Sequence, residues 1–173
     1  PLNKTKFGLN ATHLRILALT LMLLDHMWAT VIPGNNWMTY VGRMAFPIFA
    51  FQAAEGYHHT HDFKGYCKRL ALFALVSEIP FNLMIFSSPI FPFHQNVMLT
   101  LLLGLLACRA WDQKKWWKLA LCALAGVVTF PDYGVMGVTT VLMFHVFRDW
   151  KWAQLLGLIL INWFGFEGQH LIL

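Results

Sequence analysis

Near-continuous apolar segments, separated by short polar loops, divide the chain into about seven predicted membrane-spanning helices. The segments are residues 13–33, 37–57, 66–86, 96–111, 116–131, 134–148 and 151–166. Several approach the length of about 20 apolar residues that a helix needs to cross a bilayer. Their apolar positions do not alternate with polar ones, as they do in the strands of a membrane barrel. The pattern therefore predicts an all-α, polytopic transmembrane bundle.

Lysine and arginine are unevenly distributed over the loops between these segments. Every other connection carries them, at Lys4, Lys6, Arg15, Lys64, Lys68, Arg69, Arg109, Lys114, Lys115, Lys118, Arg148 and Lys151. The alternate connections at 34–38, 87–95 and 130–134 contain neither residue. Because cytoplasmic loops are enriched in lysine and arginine, we expect a cytoplasmic N-terminus and a multi-pass membrane protein.

Composition agrees with this class, since 58% of the residues are hydrophobic and only 12% are charged. Soluble domains contain about 25% charged residues. The net charge of +5 follows from the basic loops and needs no nucleic-acid partner, although it would also attract anionic lipid or a phosphorylated cofactor. The chain starts without methionine and stops inside an apolar run, so we expect residues 1–173 to be one transmembrane domain trimmed at both ends.

The ionisable residues Arg15, Asp25 and His26 lie within the apolar first segment. Ionisable groups in a membrane are costly and usually functional. Arg15 and His26 are eleven positions apart, which is about 1100° around a helix and roughly 16 Å along its axis. Both side chains therefore leave nearly the same face, and together they could hold a long molecule with an anionic head.

Other polar residues are predicted at the depth of His26. Arg43 lies near the outer end of the second segment, Glu78 and Asn82 share a face of the third, and Asn96 opens the fourth. Together with Asp25 they predict one polar layer in the outer half of the bundle. Such a layer can be a structural charge pair or a reaction site.

Two prolines support an interrupted, cavity-lining region beside this layer. Pro47 removes the helical partner of the Arg43 carbonyl, and Pro80 removes that of the Val76 carbonyl. Freed backbone acceptors inside a membrane bundle are tolerated where they are buried in protein or line a cavity.

Two interpretations of the layer stay open at this point. In the structural one, Asp25 and Glu78 only neutralise Arg43, and the asparagines join helices. In the catalytic one, His26 transfers protons, which its unperturbed pKa of about 6.5 allows. Neighbouring helical residues point about 100° apart, so we expect Asp25 to pair with Arg43 and Glu78 to orient His26.

A second polar group follows the second segment, in YHHTHDFKGYCKRL. Its histidines, which lack the spacing of a closed zinc site, are His58, His59 and His61. We predict no metal. A solvated cytoplasmic loop is one interpretation, and a phosphate-binding site is the other, because Lys68 and Arg69 lie on the same side as Arg15.

On the outer side, Asp132 and Tyr133 lie in FPDYGVMG, where Pro131 and Gly134 predict a turn. If this turn is functional, we expect it to contact a substrate.

The chain resembles the TraX family. Members of this family are bacterial membrane proteins, named for the enzyme that acetylates the N-terminus of F-type pilin. The resemblance is carried in order along the chain by Leu24-Asp25-His26, Gly42-Arg43, Ala45-Phe46-Pro47, Glu55-Gly56, Tyr66, Arg69-Leu70, Ser77-Glu78-Ile79-Pro80-Phe81, Asn96-Val97, Thr100-Leu101 and Asp132-Tyr133-Gly134. The family is similar to the wider transmembrane acyltransferases, where a basic residue and a histidine recur on the first helix with the spacing of Arg15 and His26.

The resemblance implies an acetyltransferase of the bacterial cytoplasmic (inner) membrane that uses acetyl-CoA as acyl donor. Acetyl-CoA would enter from the cytoplasm, and its pantetheine arm would reach His26. The implied cofactor-binding residues are Arg15, Lys68, Arg69 and Glu55. The implied catalytic residues are His26, as general base or acyl carrier, with Glu78 and Asp25.

The acceptor implied by the resemblance is an amine or hydroxyl of a peptide or glycan outside the cytoplasm. Arg43 or Asn82 would stabilise the oxyanion, and the implied substrate-binding residues are Arg43, Asn82, Asn96, Asp132 and Tyr133. Two rival functions remain: a proton- or ion-coupled transporter using the same buried charges, and a non-catalytic subunit for pilus or envelope assembly.

Overall fold

The computed structural model describes residues 10–91 and 93–166, and every regular element in these ranges is an α-helix. The helices are α1 (Ala11–Thr30), α2 (Asn36–Gly42), α3 (Ala45–His59), α4 (Phe63–Phe86), α5 (Val97–Asp112), α6 (Trp116–Val128), α7 (Gly134–Val146) and α8 (Lys151–Phe166). The all-α prediction is therefore confirmed.

The second predicted segment, 37–57, is not one helix. The chain forms the short helix α2 and then α3, with the break at Arg43 and Met44. Pro47 is the third residue of α3, in the first turn, where backbone N–H groups have no helical partner. The Arg43 carbonyl accepts a hydrogen bond from the Phe46 N–H at 3.3 Å, so it is not left free as predicted.

In the described part of the chain, α4 is the one helix with the length and apolar composition of a membrane span. Helices α6 and α7 are apolar but shorter. Large apolar side chains on α4 are more than half exposed, namely those of Leu72, Phe73, Leu75, Val76 and Ile79. The seven spans and the cytoplasmic N-terminus stay predictions.

The chain divides into two compact units, Pro1–Gln52 and Ala53–Leu173. In the first unit α1 packs against α2. A methyl group added at Gly42 would lie 2.6 Å from Cβ of Asp25 and 2.8 Å from its backbone nitrogen. The two helices therefore approach so closely at this point that glycine is required.

In the second unit α5 packs against α4, α6 and α7, and α7 also contacts α6 and α8. A buried apolar cluster joins α5, α6 and α7 through Leu103, Ala107, Cys122 and Val138. Gly104 brings α5 close to α7, since an added methyl group would lie 2.6 Å from Cβ of Val141. Small residues at such contacts are typical of helix packing in membranes.

We expect Gly104→Ala to destabilise the second unit, because Val141 is fully buried and its branched side chain has no room to move. Overpacking of this kind costs about 1–3 kcal/mol. The melting temperature of the detergent-solubilised chain should fall. Gly157→Ala is the matched control and should have a smaller effect, because its methyl group meets the flexible Met143 side chain. An unchanged melting temperature for Gly104→Ala would contradict the close contact.

Candidate functional site

Three predicted site residues meet at the start of α5, and we call Glu78, Asn82 and Asn96 the α5 N-terminal cluster. Glu78 Oε2 accepts hydrogen bonds from the backbone N–H of Asn96 at 3.1 Å and from its Nδ2 at 2.7 Å. Glu78 Oε1 accepts one from Asn82 Nδ2 at 3.2 Å. The carboxylate thus lies at the N-terminus of α5, where the helix dipole stabilises negative charge.

Asn96 holds this cluster together from a buried position. Its Oδ1 accepts the Met98 N–H at 3.0 Å and so caps α5, while its Nδ2 also donates to the Ala74 carbonyl at 2.7 Å. Asn82 is also buried, and within the described residues its Oδ1 has no hydrogen-bond partner. In this orientation Asn82 offers an unpaired acceptor, whereas the predicted oxyanion contact needs a donor.

The turn at Asp132 and Tyr133 lies against the same end of α5. Thr100 Oγ1 donates a hydrogen bond to the Asp132 carbonyl, and the Asp132 N–H donates to the Gln95 carbonyl at 2.7 Å. Tyr133 has a positive φ of 65° and precedes α7, so the predicted turn is confirmed. His94 Nε2 lies 3.9 Å from Asp132 Oδ1 and adds an imidazole that the sequence prediction did not include.

In the first unit, Asp25 faces α2, as its helical position predicted, but its partner differs. Asp25 Oδ1 accepts a hydrogen bond from Thr39 Oγ1 at 2.7 Å. Within the described part of this unit no ion pair joins Asp25 to Arg43, so that predicted pairing is wrong. Arg43 follows α2 as its C-terminal cap and is exposed.

His26 and Arg15 lie on one uninterrupted helix, α1, so the stripe predicted for them is present. His26 is half-buried, and its imidazole has no hydrogen-bond partner in the described part of the first unit. Arg15 is exposed, as are Lys68 and Arg69 on α4. The orientation of His26 by Glu78, the single polar layer and the contacts with acetyl-CoA stay predictions.

The opposite end of α5 carries a second polar group. We call Glu55, Tyr57, His58, Asp112, His145 and Arg148 the α5 C-terminal cluster. Arg148 holds Glu55 through two hydrogen bonds, from Nε at 2.8 Å and from Nη2 at 3.2 Å. Both side chains are partly exposed, so this pair contributes at most about 1 kcal/mol. The cofactor contact predicted for Glu55 stays a prediction.

The rest of this cluster is a chain of hydrogen bonds. His145 is buried, and its Nε2 lies 2.8 Å from Asp112 Oδ1 while its Nδ1 lies 3.0 Å from His58 Nε2. Tyr57 donates its hydroxyl to Asp112 Oδ2 at 2.7 Å. Partial desolvation and the neighbouring His145 lower the pKa of His58 below its usual value.

Sequence reasoning missed Asp112 and His145, although two signals pointed to them. Asp112 is the last residue of α5, where the helix dipole disfavours a carboxylate unless a donor compensates it. The predicted second, fourth and sixth segments also run in the same direction, which brings Tyr57, Asp112 and His145 to one level. Among the described residues, no three His, Cys, Asp or Glu side chains are arranged to hold a metal ion.

The two clusters lie at opposite ends of one apolar helix. Asn96 and Asp112 are sixteen residues apart on α5, which corresponds to about 24 Å along the axis. Between them, buried residues of α5 are apolar except for Thr100. The second unit therefore separates two polar ends by most of the thickness of a bilayer's apolar core, about 30 Å.

One family model and one curated relative match the chain. Residues 10–167 match a family model described as "TraX protein". The chain is 28% identical over 166 residues to "Probable fimbrial assembly protein FimC, serogroup H1" of Dichelobacter nodosus, a match that covers 87% of this chain and 68% of that relative. No solved structure matches the chain.

We expect Asn96→Ala to destabilise the second unit by about 2–3 kcal/mol, because it removes a helix cap and leaves the Glu78 carboxylate short of a donor. Thermal unfolding in detergent measures this. Asn162→Ala is the matched control, since Asn162 is exposed and its Nδ2 bonds only within its own helix. Equal melting temperatures for the two variants would show that the cluster does not hold α5 in place.

Proposed function

Because the chain belongs to the TraX family, as its motifs predicted, we propose that it is a membrane-embedded acetyltransferase. It moves an acetyl group from cytoplasmic acetyl-CoA to an amine or hydroxyl on the outer side of the inner membrane. The family resemblance and the name of the Dichelobacter relative favour the N-terminus of a pilus-type peptide as acceptor, with a glycan as the alternative.

The observation that carries the proposal is the arrangement of Arg15 and His26 on α1. The helix runs without interruption from Ala11 to Thr30, so the two side chains leave nearly the same face roughly 16 Å apart. Arg15 is exposed and can meet the phosphates of the donor. The imidazole of His26 is not engaged within the described part of its unit, which suits a group that must bind a substrate proton.

In the proposed reaction, His26 takes a proton from the acceptor amine or hydroxyl as that group attacks the thioester carbonyl. The tetrahedral intermediate collapses, the C–S bond breaks and coenzyme A leaves as the thiolate. The thiolate then takes the proton from His26. Arg43 is exposed at the end of α2 and is the candidate for stabilising the oxyanion. Transfer through an acetyl-His26 intermediate uses the same residues in two steps.

Asp25 acts as a positioning residue in this account. Its hydrogen bond to Thr39 and its contact with Gly42 fix α1 against α2, and thereby fix the direction of the neighbouring His26. Asn82 is proposed to contact the acceptor substrate, as the family resemblance implies. Asp132 and Tyr133 are proposed to contact the acceptor from the adjoining turn.

A non-catalytic assembly subunit is the second candidate function. It is favoured by the name of the Dichelobacter relative and by the role of Glu78 and Asn96 in capping α5. In that case acetyl-CoA would not bind, and variants at His26 would affect stability alone.

Incubation of the purified chain with labelled acetyl-CoA and an acceptor peptide tests the proposal. We expect His26→Gln to reduce transfer at least about 100-fold, because general-base catalysis contributes on that scale. Arg15→Gln should mainly raise KM for acetyl-CoA, since Arg15 binds the donor without touching the reacting atoms.

His13→Gln is the matched control for this experiment, because His13 is an exposed histidine on the same helix. It should transfer acetyl groups at the wild-type rate. Binding of acetyl-CoA that is unchanged by Arg15→Gln, or transfer that is unchanged by His26→Gln, would contradict the proposed site. No binding by the wild-type chain would favour the assembly subunit.

A further inference from the structure

We propose that Asp112, His145 and His58 form a proton relay that makes His58 Nδ1 a second general base. The relay is built from the ends of α5, α7 and α3 and does not include His26. Its substrate is an anionic molecule that carries a nucleophilic amine or hydroxyl. The inference does not depend on acetyl transfer at His26, so the two can be tested separately.

Asp112 fixes the hydrogen positions along the relay. An ionised carboxylate only accepts hydrogen bonds, so the Nε2 of His145, 2.8 Å from Asp112 Oδ1, must carry a hydrogen. With His145 neutral, its Nδ1 carries a lone pair, which accepts from His58 Nε2 at 3.0 Å. The hydrogen of His58 is thereby placed on Nε2, and its lone pair is placed on Nδ1.

The relay is fixed at the Asp112 carboxylate and is exposed at its other end, His58. Tyr57 donates to Asp112 Oδ2 at 2.7 Å, so both carboxylate oxygens are engaged and the side chain cannot turn away from His145. The rings of Tyr57 and His145 also pack edge to face, with centroids 5.2 Å apart. His145 is only 7% exposed, whereas His58 is exposed and can reach a substrate.

Proton transfer through this line balances without any other reactant. A substrate N–H or O–H bond breaks and a bond from that hydrogen to His58 Nδ1 forms. The hydrogen on His58 Nε2 passes to His145 Nδ1, so that the positive charge lies on His145. That charge is then buried beside the Asp112 carboxylate, which stabilises it, and the proton returns to the substrate nitrogen or oxygen by the reverse path.

A structural link and a metal site are the competing interpretations of these three residues. A structural link between α5 and α7 is complete with the bond from Asp112 to His145, whereas His58, whose ring stacks on that of His145 with centroids 4.7 Å apart, stays exposed. Both ring nitrogens of His145 are occupied by protein partners, so the three side chains form a line and do not converge on one centre. The line, with an open end, is the arrangement expected of a relay.

The charge beside the relay favours an anionic substrate. The guanidinium of Arg109 lies 4.3 Å from the centroid of the Phe63 ring, and that ring contacts Tyr57 with centroids 5.5 Å apart. Lys64 and Lys68 are exposed on the first turns of α4, which begins at Phe63. A phosphate or carboxylate group of the substrate would meet these cations.

Carbethoxylation by diethyl pyrocarbonate, which attacks unprotonated imidazole nitrogens, tests the relay in the full chain. The rate at His58 is divided by the rate at His59, an exposed neighbour whose Nδ1 bonds to the Glu55 carbonyl. We expect Asp112→Asn to lower this ratio about tenfold, the effect of one lost hydrogen bond.

The expected loss follows from the hydrogen positions. In Asp112→Asn the amide oxygen takes the Tyr57 hydroxyl and the amide nitrogen donates to His145. The hydrogen of His145 then moves from Nε2 to Nδ1, and that of His58 also moves from Nε2 to Nδ1. Neither nitrogen of His58 keeps a free lone pair. Asp149→Asn is the matched control, because Asp149 is an exposed aspartate in the loop after α7, and it should leave the ratio unchanged. An unchanged ratio in Asp112→Asn would overturn the proposal.

Nitrogen-15 spectra of the histidine-labelled wild-type chain provide a second measurement that needs no variant to fold. The relay requires His58 Nε2 to be protonated and Nδ1 to be unprotonated at neutral pH. Spectra with a hydrogen on Nδ1 of His58 would overturn the proposal even if Asp112→Asn proves unstable.

Discussion

Hydrogen bonds at the two ends of α5 are the interactions on which the second unit depends. A polar group without a partner in apolar surroundings costs several kcal/mol, so the chain concentrates its polar side chains where partners meet them. At one end Asn96 and Glu78 cap the helix and join it to α4. At the other end Asp112 joins α5 to Tyr57 and to His145. The buried stretch between these ends can therefore be almost entirely apolar.

This arrangement distinguishes the roles of the buried carboxylates from those of the histidines. Glu78 is engaged by three N–H donors, and Asp25 is engaged by Thr39, so both carboxylates primarily fix helices in place. The imidazole of His26, in contrast, has no hydrogen-bond partner within the described part of its unit, and His58 has a ring nitrogen that the relay leaves free. We therefore propose that the two imidazoles transfer protons and that the carboxylates hold helices in place.

Much of the fold could be predicted because hydrophobic segments and turn residues act locally. Six of the predicted segments agree with helices to within a few residues, and the turn at Asp132 and Tyr133 was read from its proline and glycine. The break between α2 and α3 was missed, because Pro47 was placed inside a helix and not in its first turn.

Asp25 was predicted to face another helix, but its partner could not be identified, because Thr39 is uncharged and belongs to no motif in the sequence. The α5 C-terminal cluster was missed because its members are far apart in the chain and each resembles a loop residue.

The most direct test of the proposed function is acetyl transfer across a closed bilayer. The purified chain is reconstituted into vesicles that contain the acceptor peptide, and labelled acetyl-CoA is added outside only. The account predicts that label appears on the enclosed peptide when the chain is present and does not appear in vesicles without it. An enclosed peptide that stays unlabelled, while the same peptide added outside becomes labelled, would contradict transfer across the membrane.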